Sequence, residues 1–395
     1  KQLAYYGGLA TLLENTNIET QKYYLAFNLL NDAAPYLSDD FVNANFAFYG
    51  TALSGKQLNR PRWKRSLSFV NDALGEAVGH LYVDKYFPQS SKDKVLKMVE
   101  NLQKALGERI AGLQWMSNAT KAKAQEKLAA FTVKIGFPNK WRDYSKLDVK
   151  KDSYWANVCR ASIFEMNEDF AKIDQPVDKS RWEMSPQTVN AYYSPNTNEI
   201  CFPAAILQPP FFNPKADDAV NYGAIGVVIG HEMTHGFDDE GRNYDKNGNL
   251  TDWWTAEDAK LFNERADKLA KQYSDIIVAD SVHANGRFTL GENIADHGGL
   301  IISHLAYLNS LKGKKRPEPI QCFTDEQRFY LSYAGLWAQN IRKEEILRLT
   351  KVDPHSLGKW RVNAALRNMD AFYKAFNINP CDKMYMTPEE RVLIW

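Results

Sequence analysis

DDAVNYGAIGVVIGHEMTHG (residues 217–236) ends in His231-Glu232-Met233-Thr234-His235, an H-E-x-x-H. On an α-helix, positions i and i+4 share a face, so both imidazoles can reach one metal ion. Glu232 projects from nearly the same side, where it can touch a metal-bound water. With 7 His in 395 residues, chance supplies only ~0.007 such matches, so the motif is read as a zinc site. The apolar part, AIGVVI, is too short to span a membrane. Val and Ile are modest helix formers, so this run is helical because it is buried. Gly223, Gly226 and Gly230 would let neighbouring elements approach closely.

Two histidines leave a catalytic zinc short of a ligand, since three protein ligands plus water is the usual set. A metzincin needs Gly three residues and His six residues after the second His. Those positions hold Asp238 and Gly241, which excludes that branch. The best third ligand is Glu292 in Gly291-Glu292-Asn293-Ile294-Ala295-Asp296. Glu292 and Asp296 are spaced i, i+4 on an expected helix. One can bind the metal while the other orients a ligand imidazole.

Outward from the motif, helical spacing covers 70–87, 95–132, 153–172, 255–275, 290–309, 325–347 and 356–376. The pattern breaks at Gly136-Phe137-Pro138, and 138–153 is polar and turn-rich. Residues 189–207 read as two strands around Ser194-Pro195-Asn196-Thr197-Asn198, a hairpin. The expected fold is therefore mainly α with a small β-sheet, an α+β chain. Its division is a mostly helical region over 1–185 and a catalytic domain over 186–395.

Composition narrows the function further. The 49 Lys and Arg against 48 Asp and Glu give +1, which argues against a nucleic-acid binder. No apolar run nears the ~20 residues of a membrane span, so no transmembrane segment is expected. Four cysteines, Cys159, Cys201, Cys322 and Cys381, form no CxxC and are too sparse for a disulfide scaffold. They are read as buried or half-buried free thiols.

Five blocks carry a family resemblance: VNAYY (189–193), FPAAILQPPFF (202–212), VVIGHEMTHGFDDEGRNYD (227–245), GENIADHGG (291–299) and DPHSLGKWRVN (353–363). LYVDKYF (81–87) and KIGFP (134–138) add to them. Together they resemble the neprilysin and endothelin-converting-enzyme family of zinc metalloendopeptidases, most closely its bacterial endopeptidase O branch. The ending Val392-Leu393-Ile394-Trp395, with Val where animal members have Cys, fits that branch. The resemblance implies a thermolysin-like zincin catalytic domain within a larger helical lobe. It also implies that this is the C-terminal catalytic portion of a longer precursor, whose missing N-terminal part is a candidate partner.

The roles it implies are these. One Zn2+ per chain is held by His231, His235 and Glu292, with Glu232 as general base. Asp296 and Asp238 orient the ligand histidines. His355 stabilises the tetrahedral oxyanion, and Arg361 grips a substrate carbonyl. The Asn190 side chain and the Ala191 carbonyl hold the substrate as an added strand. Ile206, Phe211, Val227, Val228 and Trp337 form an apolar pocket, implying oligopeptide cleavage before a large hydrophobic residue. The expected setting is a bacterial protein that is exported (periplasmic, cell-surface or secreted), with the cytoplasm as the alternative. Residue pattern alone would have left His355 in a turn and Arg361 on a helix surface. His80, His283, His297 and His304 show no ligand spacing and are read as ordinary histidines. Asp245 to Asn249 is read as a turn rather than a calcium loop. The competing functions are an aminopeptidase, for which no G-x-M-E-N motif is present, and an inactive peptide-binding or interaction protein with a retained zinc site.

Overall fold

The computed structural model describes residues 2–395. The chain divides into two compact units. One holds the residues up to Ser68 together with Asp143–Val177, and the other holds Phe69–Arg142 with Asp178–Trp395.

The first unit is helical: Leu3–Asn15, Ile18–Ala33, Asp39–Asn45, a π-helical turn at Phe46–Ala52, and Tyr154–Phe170. Its helix starts are set by side-chain caps. Asn17 accepts the Glu19 amide at 2.8 Å and Ser153 accepts that of Ala156 at 3.2 Å, each satisfying a donor that the first turn leaves free. Tyr36 ties the pieces together, edge-on to Tyr154 at 5.6 Å and stacked on Trp155 at 6.2 Å.

The second unit contains a three-stranded sheet. Strand β1 (Thr132–Gly136) pairs parallel with β3 (Glu199–Pro203), and β2 (Tyr192–Ser194) pairs antiparallel with β3. The hairpin expected over 189–207 is β2–β3. Strand β1 was hidden by the helical spacing that precedes it, because its partner lies more than sixty residues away and sets its conformation. Asn190 and Ala191, expected on a strand, stand in the stretch just before β2.

Several long helical runs are broken. The 325–347 run is Asp325–Leu336 and Lys343–Val352, and the 356–376 run is Gly358–Leu366 and Asp370–Phe376. The 95–132 run is Gln89–Gly112 and Asn118–Ala129, the second capped by Ser117.

The boundary expected at 185/186 does not divide the compact units. Residues 69–142 belong with the C-terminal part, for two physical reasons. Strand β1 needs β3 to complete its ladder, and the Gln89–Gly112 helix packs its buried Val95, Leu102, Ala105 and Leu106 into the same core as Ile225 and Ile302.

Within that core the motif helix (Val227–His235, entered through Asp218–Asn221 and a π-helical turn at Tyr222–Gly226) lies against the carboxylate helix (Leu290–Ser310). Both are deeply buried. A Cβ on Gly230 would stand 2.9 Å from the Gly299 Cα, and one on Gly299 would stand 2.6 Å from the Val227 carbonyl. The two backbones touch, which is what brings Glu292 to the histidines. All four cysteines are free; Cys201 is buried and Cys159 half-buried, whereas Cys322 and Cys381 lie exposed, contrary to expectation, in C-terminal loops outside the helices.

Candidate active site

His231 and His235, one helical turn apart, point their Nε2 atoms at one another across 3.0 Å. The Oε2 of Glu292 lies 3.2 Å from His231 Nε2 and 3.6 Å from His235 Nε2. These three residues could hold a metal ion. A carboxylate accepts only, so the far nitrogens settle the proton positions. His231 Nδ1 donates to Asp296 Oδ1 at 2.9 Å, and His235 Nδ1 donates to Asp238 Oδ2 at 2.7 Å. Each Nε2 is then left with a lone pair facing another acceptor.

Glu292 Oε2 is buried and receives no hydrogen bond. Three convergent acceptors without a donor repel each other unless a cation sits between them. Edges of 3.0, 3.2 and 3.6 Å bracket the ~3.3 Å that bonds of about 2.0–2.1 Å at tetrahedral angles produce. The donor set therefore fits zinc. Without a metal, the surrounding carboxylates favour protonation of the histidines. Burial opposes it, yet Asp238 and Glu292 hold His235 well above its ordinary pKa. Burial and His235 likewise oppose the rise of His231, which Asp296 and Glu292 carry.

The orienting carboxylates are themselves fixed. Asp238 Oδ1 accepts the amides of Glu240 at 2.9 Å and Gly241 at 2.7 Å. Asp296 receives the fork of Arg361, Nε to Oδ2 at 2.8 Å and Nη2 to Oδ1 at 2.6 Å. The centre of that guanidinium stands over the Trp337 ring, 3.8 Å from its centroid. Arg361 is buried, so its first partner is Asp296, which adds a structural duty to the substrate contact expected of it.

Glu232 is 7% exposed, and burial pushes its carboxyl pKa up while His231 and His235 draw it down. His355 stands at the edge of the site, with Nε2 3.3 Å from Glu292 Oε2. Its ring is fixed by Asp353, whose Oδ1 accepts from both Nδ1 at 2.7 Å and the His355 amide at 2.9 Å. The next residue, Ser356, donates to Asn293 Oδ1 at 2.7 Å, which pins this loop to the carboxylate helix.

The candidate site residues line one cleft of about 490 Å³. It gathers His231, Glu232, His235, Asp238, Glu292, Asp296, His355 and Arg361 with Asn190, Ala191, Ile206, Phe211, Val227, Val228 and Trp337. Every candidate residue singled out from the sequence is thus brought together. Tyr193, Glu240, Tyr244 and Tyr333 also line the cleft and were not singled out. Glu240 and Tyr244 sit in the block that follows the motif, so their position was a usable signal; Tyr333 carried none.

The remaining histidines stay apart from this group. His80 meets the Trp141 ring edge-on at 4.7 Å, and His283 Nδ1 donates to the Ser274 carbonyl at 2.9 Å. His304 pairs with Glu326 at 2.9 Å, and buried His297 faces the Tyr273 hydroxyl at 3.3 Å. Asp245 forms a turn, its Oδ1 accepting the amides of Asn247 and Asn249.

The chain is similar to known proteins over nearly its whole length. Human neprilysin is 37% identical over 384 residues, covering 94% of this chain and 51% of its own length. The Mycobacterium tuberculosis zinc metalloprotease Zmp1, solved in complex with an inhibitor, superposes with a TM-score of 0.95 at 45% identity, covering 98% of this chain and 59% of that one. PepO from Lactobacillus rhamnosis HN001 gives 0.86 at 34% identity, over 93% of this chain and 57% of that one. The chain spans about half the length of the curated relatives it matches. Its fold is mainly α with a small sheet, a thermolysin-like zincin domain with a further helical lobe. Two models described as peptidase family M13 match, one over residues 1–138 and the other over 190–392. On the second match, which takes in every candidate site residue from Asn190 to Arg361, the chain belongs to peptidase family M13.

Proposed function

We propose that this chain is a zinc-dependent endopeptidase that hydrolyses oligopeptides and cleaves before large hydrophobic residues. The observation that carries the reading is the convergence of His231 Nε2, His235 Nε2 and the donor-less Glu292 Oε2 beside a buried Glu232. One zinc per chain is held by His231, His235 and Glu292. When bound, zinc supplies Lewis acidity, lowering the pKa of water towards ~7 and polarising the scissile carbonyl.

The chain's residues do the rest. Asp296 and Asp238 keep both Nδ1 atoms protonated, so the Nε2 lone pairs stay free. Glu232 takes the proton of the attacking water and passes it to the leaving amine. With Nδ1 donating to Asp353, His355 acts as the imidazolium, whose Nε2–H donates to the carbonyl oxygen as it gains charge. Asn190 and the Ala191 carbonyl hold the peptide in extended form. Ile206, Phe211, Val227, Val228 and Trp337 offer an apolar pocket for the side chain after the cut. An exported bacterial setting belongs to the same reading, its bacterial part supported by likeness to the two bacterial structures. Among the described residues no helix is long and apolar enough to cross a membrane.

The test is a quenched peptide with a central Phe or Leu, assayed with and without a chelator, its products sized by mass spectrometry. Chelator-sensitive cleavage on the amino side of that residue is expected. Zinc-dependent binding without cleavage would replace the enzyme with a binding protein.

A further inference from the structure

Lys127, on the last turn of the Asn118–Ala129 helix, is 1% exposed. Its Nζ donates to three backbone carbonyls, those of Gly236, Gly241 and Tyr244, each at 2.7 Å. An ammonium has three protons, and all three are used. The rings of Phe237 and Tyr193 lie 5.6 and 5.8 Å away. No carboxylate pairs with this lysine among the described residues. Burial disfavours the charge and pulls its pKa down to about 7, Asp238 and Asp245 opposing only from a distance, so the three carbonyls are its direct partners.

The caged carbonyls belong to one short segment, which begins directly after His235. Lys127 holds its first residue, its middle and its end. Gly241 is the link to the site. Its carbonyl accepts from Lys127, and its amide donates to Asp238 Oδ1 at 2.7 Å. The other oxygen of Asp238 accepts from His235 Nδ1. The segment also folds back on the helix end, since a Cβ on Gly241 would stand 1.8 Å from the His235 carbonyl oxygen.

We propose that Lys127 is a positioning residue, whose ammonium fastens the 236–244 segment so that Asp238 is held against His235 and the metal-binding ring keeps its orientation. The segment-holding role stands by itself; its consequence for metal affinity rests on the zinc reading above.

Lys127→Met keeps an unbranched side chain one atom shorter and removes the three donors. Two readouts test it. In the metal-free protein, hydrogen exchange at the Glu240 and Gly241 amides should speed up at least about tenfold, because the segment loosens. Unchanged exchange overturns the proposal whatever the metal does. With zinc, chelator competition should show affinity weakened about 10-fold, in the range seen when groups behind a ligand are removed.

Coupling separates positioning from general destabilisation. In an Asp238→Asn background, Lys127→Met should add little further loss of zinc affinity. Full additivity, or wild-type affinity in Lys127→Met, overturns the link to His235. If Lys127→Met does not fold, Lys127→Arg carries both measurements. Its charge is kept, but a planar fork cannot converge on three carbonyls from one point. The same two losses, smaller, are then expected, and wild-type values overturn the proposal. Failure of the wild-type protein to bind zinc would defeat the zinc reading and leave hydrogen exchange to decide the segment role.

Discussion

Arg361 holds Asp296 through two parallel hydrogen bonds, Nε to Oδ2 at 2.8 Å and Nη2 to Oδ1 at 2.6 Å. The same Oδ1 accepts from His231 Nδ1, so one carboxylate fixes both a cation and a candidate ligand. Burial pushes the Asp296 carboxyl up, but Arg361 and His231 overcome it and hold it down to about 2. Removing one partner of a buried pair leaves the other charge uncompensated, a loss of about 3–5 kcal/mol. Arg361→Ala should therefore lower stability by that amount in the metal-free protein, besides raising KM. Denaturant unfolding of the variant checks it; a loss below about 1 kcal/mol would mean the pair is solvated in solution. Arg361→Lys should restore little, because a point charge cannot reproduce the fork.

His355 behaves differently. It is exposed at the cleft edge, with its ring held by Asp353. His355→Ala should leave the fold intact and lower kcat by about 10²–10³, as for other single oxyanion donors. KM should change far less, since the contact strengthens only as the oxygen gains charge. Steady-state kinetics showing a change in KM alone would remove the oxyanion role.

Glu232→Gln should keep the metal and lose turnover. Gln matches the carboxylate in shape but cannot accept a proton, and positioned proton transfer contributes about 10²–10⁴ in rate. Metal analysis together with kcat checks both halves. Near-normal turnover with full zinc content would make Glu232 a bystander.

His297 sets an acid limit on the fold. Burial lowers its pKa to about 4, Asp296 opposing only in part. As pH falls below the unfolded value near 6.5, the unfolded chain binds a proton that the folded chain refuses. This contribution is intact above pH ~6.5 and is lost as pH drops towards ~4, amounting to about 3 kcal/mol. His297→Gln cannot titrate there and should flatten the dependence of Tm on pH in that window. Parallel curves for the two proteins would show that His297 is solvated.

How far the site could be read in advance depended on where each signal lay. His231, Glu232 and His235 were legible because helical periodicity alone puts them on one face. Glu292 and Asp296 followed from the same spacing plus the need for a third ligand. Asn190, Ala191, His355 and Arg361 came only with the resemblance, because their contacts run between distant segments. Arg361 meets Asp296 across 65 residues. Lys127 was invisible for a stronger reason. Its partners are backbone carbonyls 109 to 117 residues away, and a carbonyl has no residue identity to read. The fold shows the same split. The β2–β3 hairpin is local and was readable, whereas β1 is a strand only because β3 lies beside it.

The close crossing of the two buried helices yields the sharpest contrast. At Gly299 a Cβ would meet the Val227 carbonyl oxygen at 2.6 Å and the His231 nitrogen at 2.7 Å. Backbone cannot step aside as a side chain can, so the helices must separate. Overpacking of this kind costs about 1–3 kcal/mol. The larger consequence is geometric. Glu292 rides on the same helix as Gly299 and His231 on the other, so any separation lengthens the ligand edges. Gly299→Ala should thus lower Tm and weaken zinc binding at least about 10-fold. Gly335, in the Asp325–Leu336 helix, has nothing within 4 Å of its would-be Cβ. There the same substitution should stabilise by up to about 1 kcal/mol, the helix preference of Ala over Gly, and leave zinc affinity unchanged. Thermal unfolding and chelator competition on both variants check the pair. Equal responses at the two positions would show that the helix contact does not hold the site together.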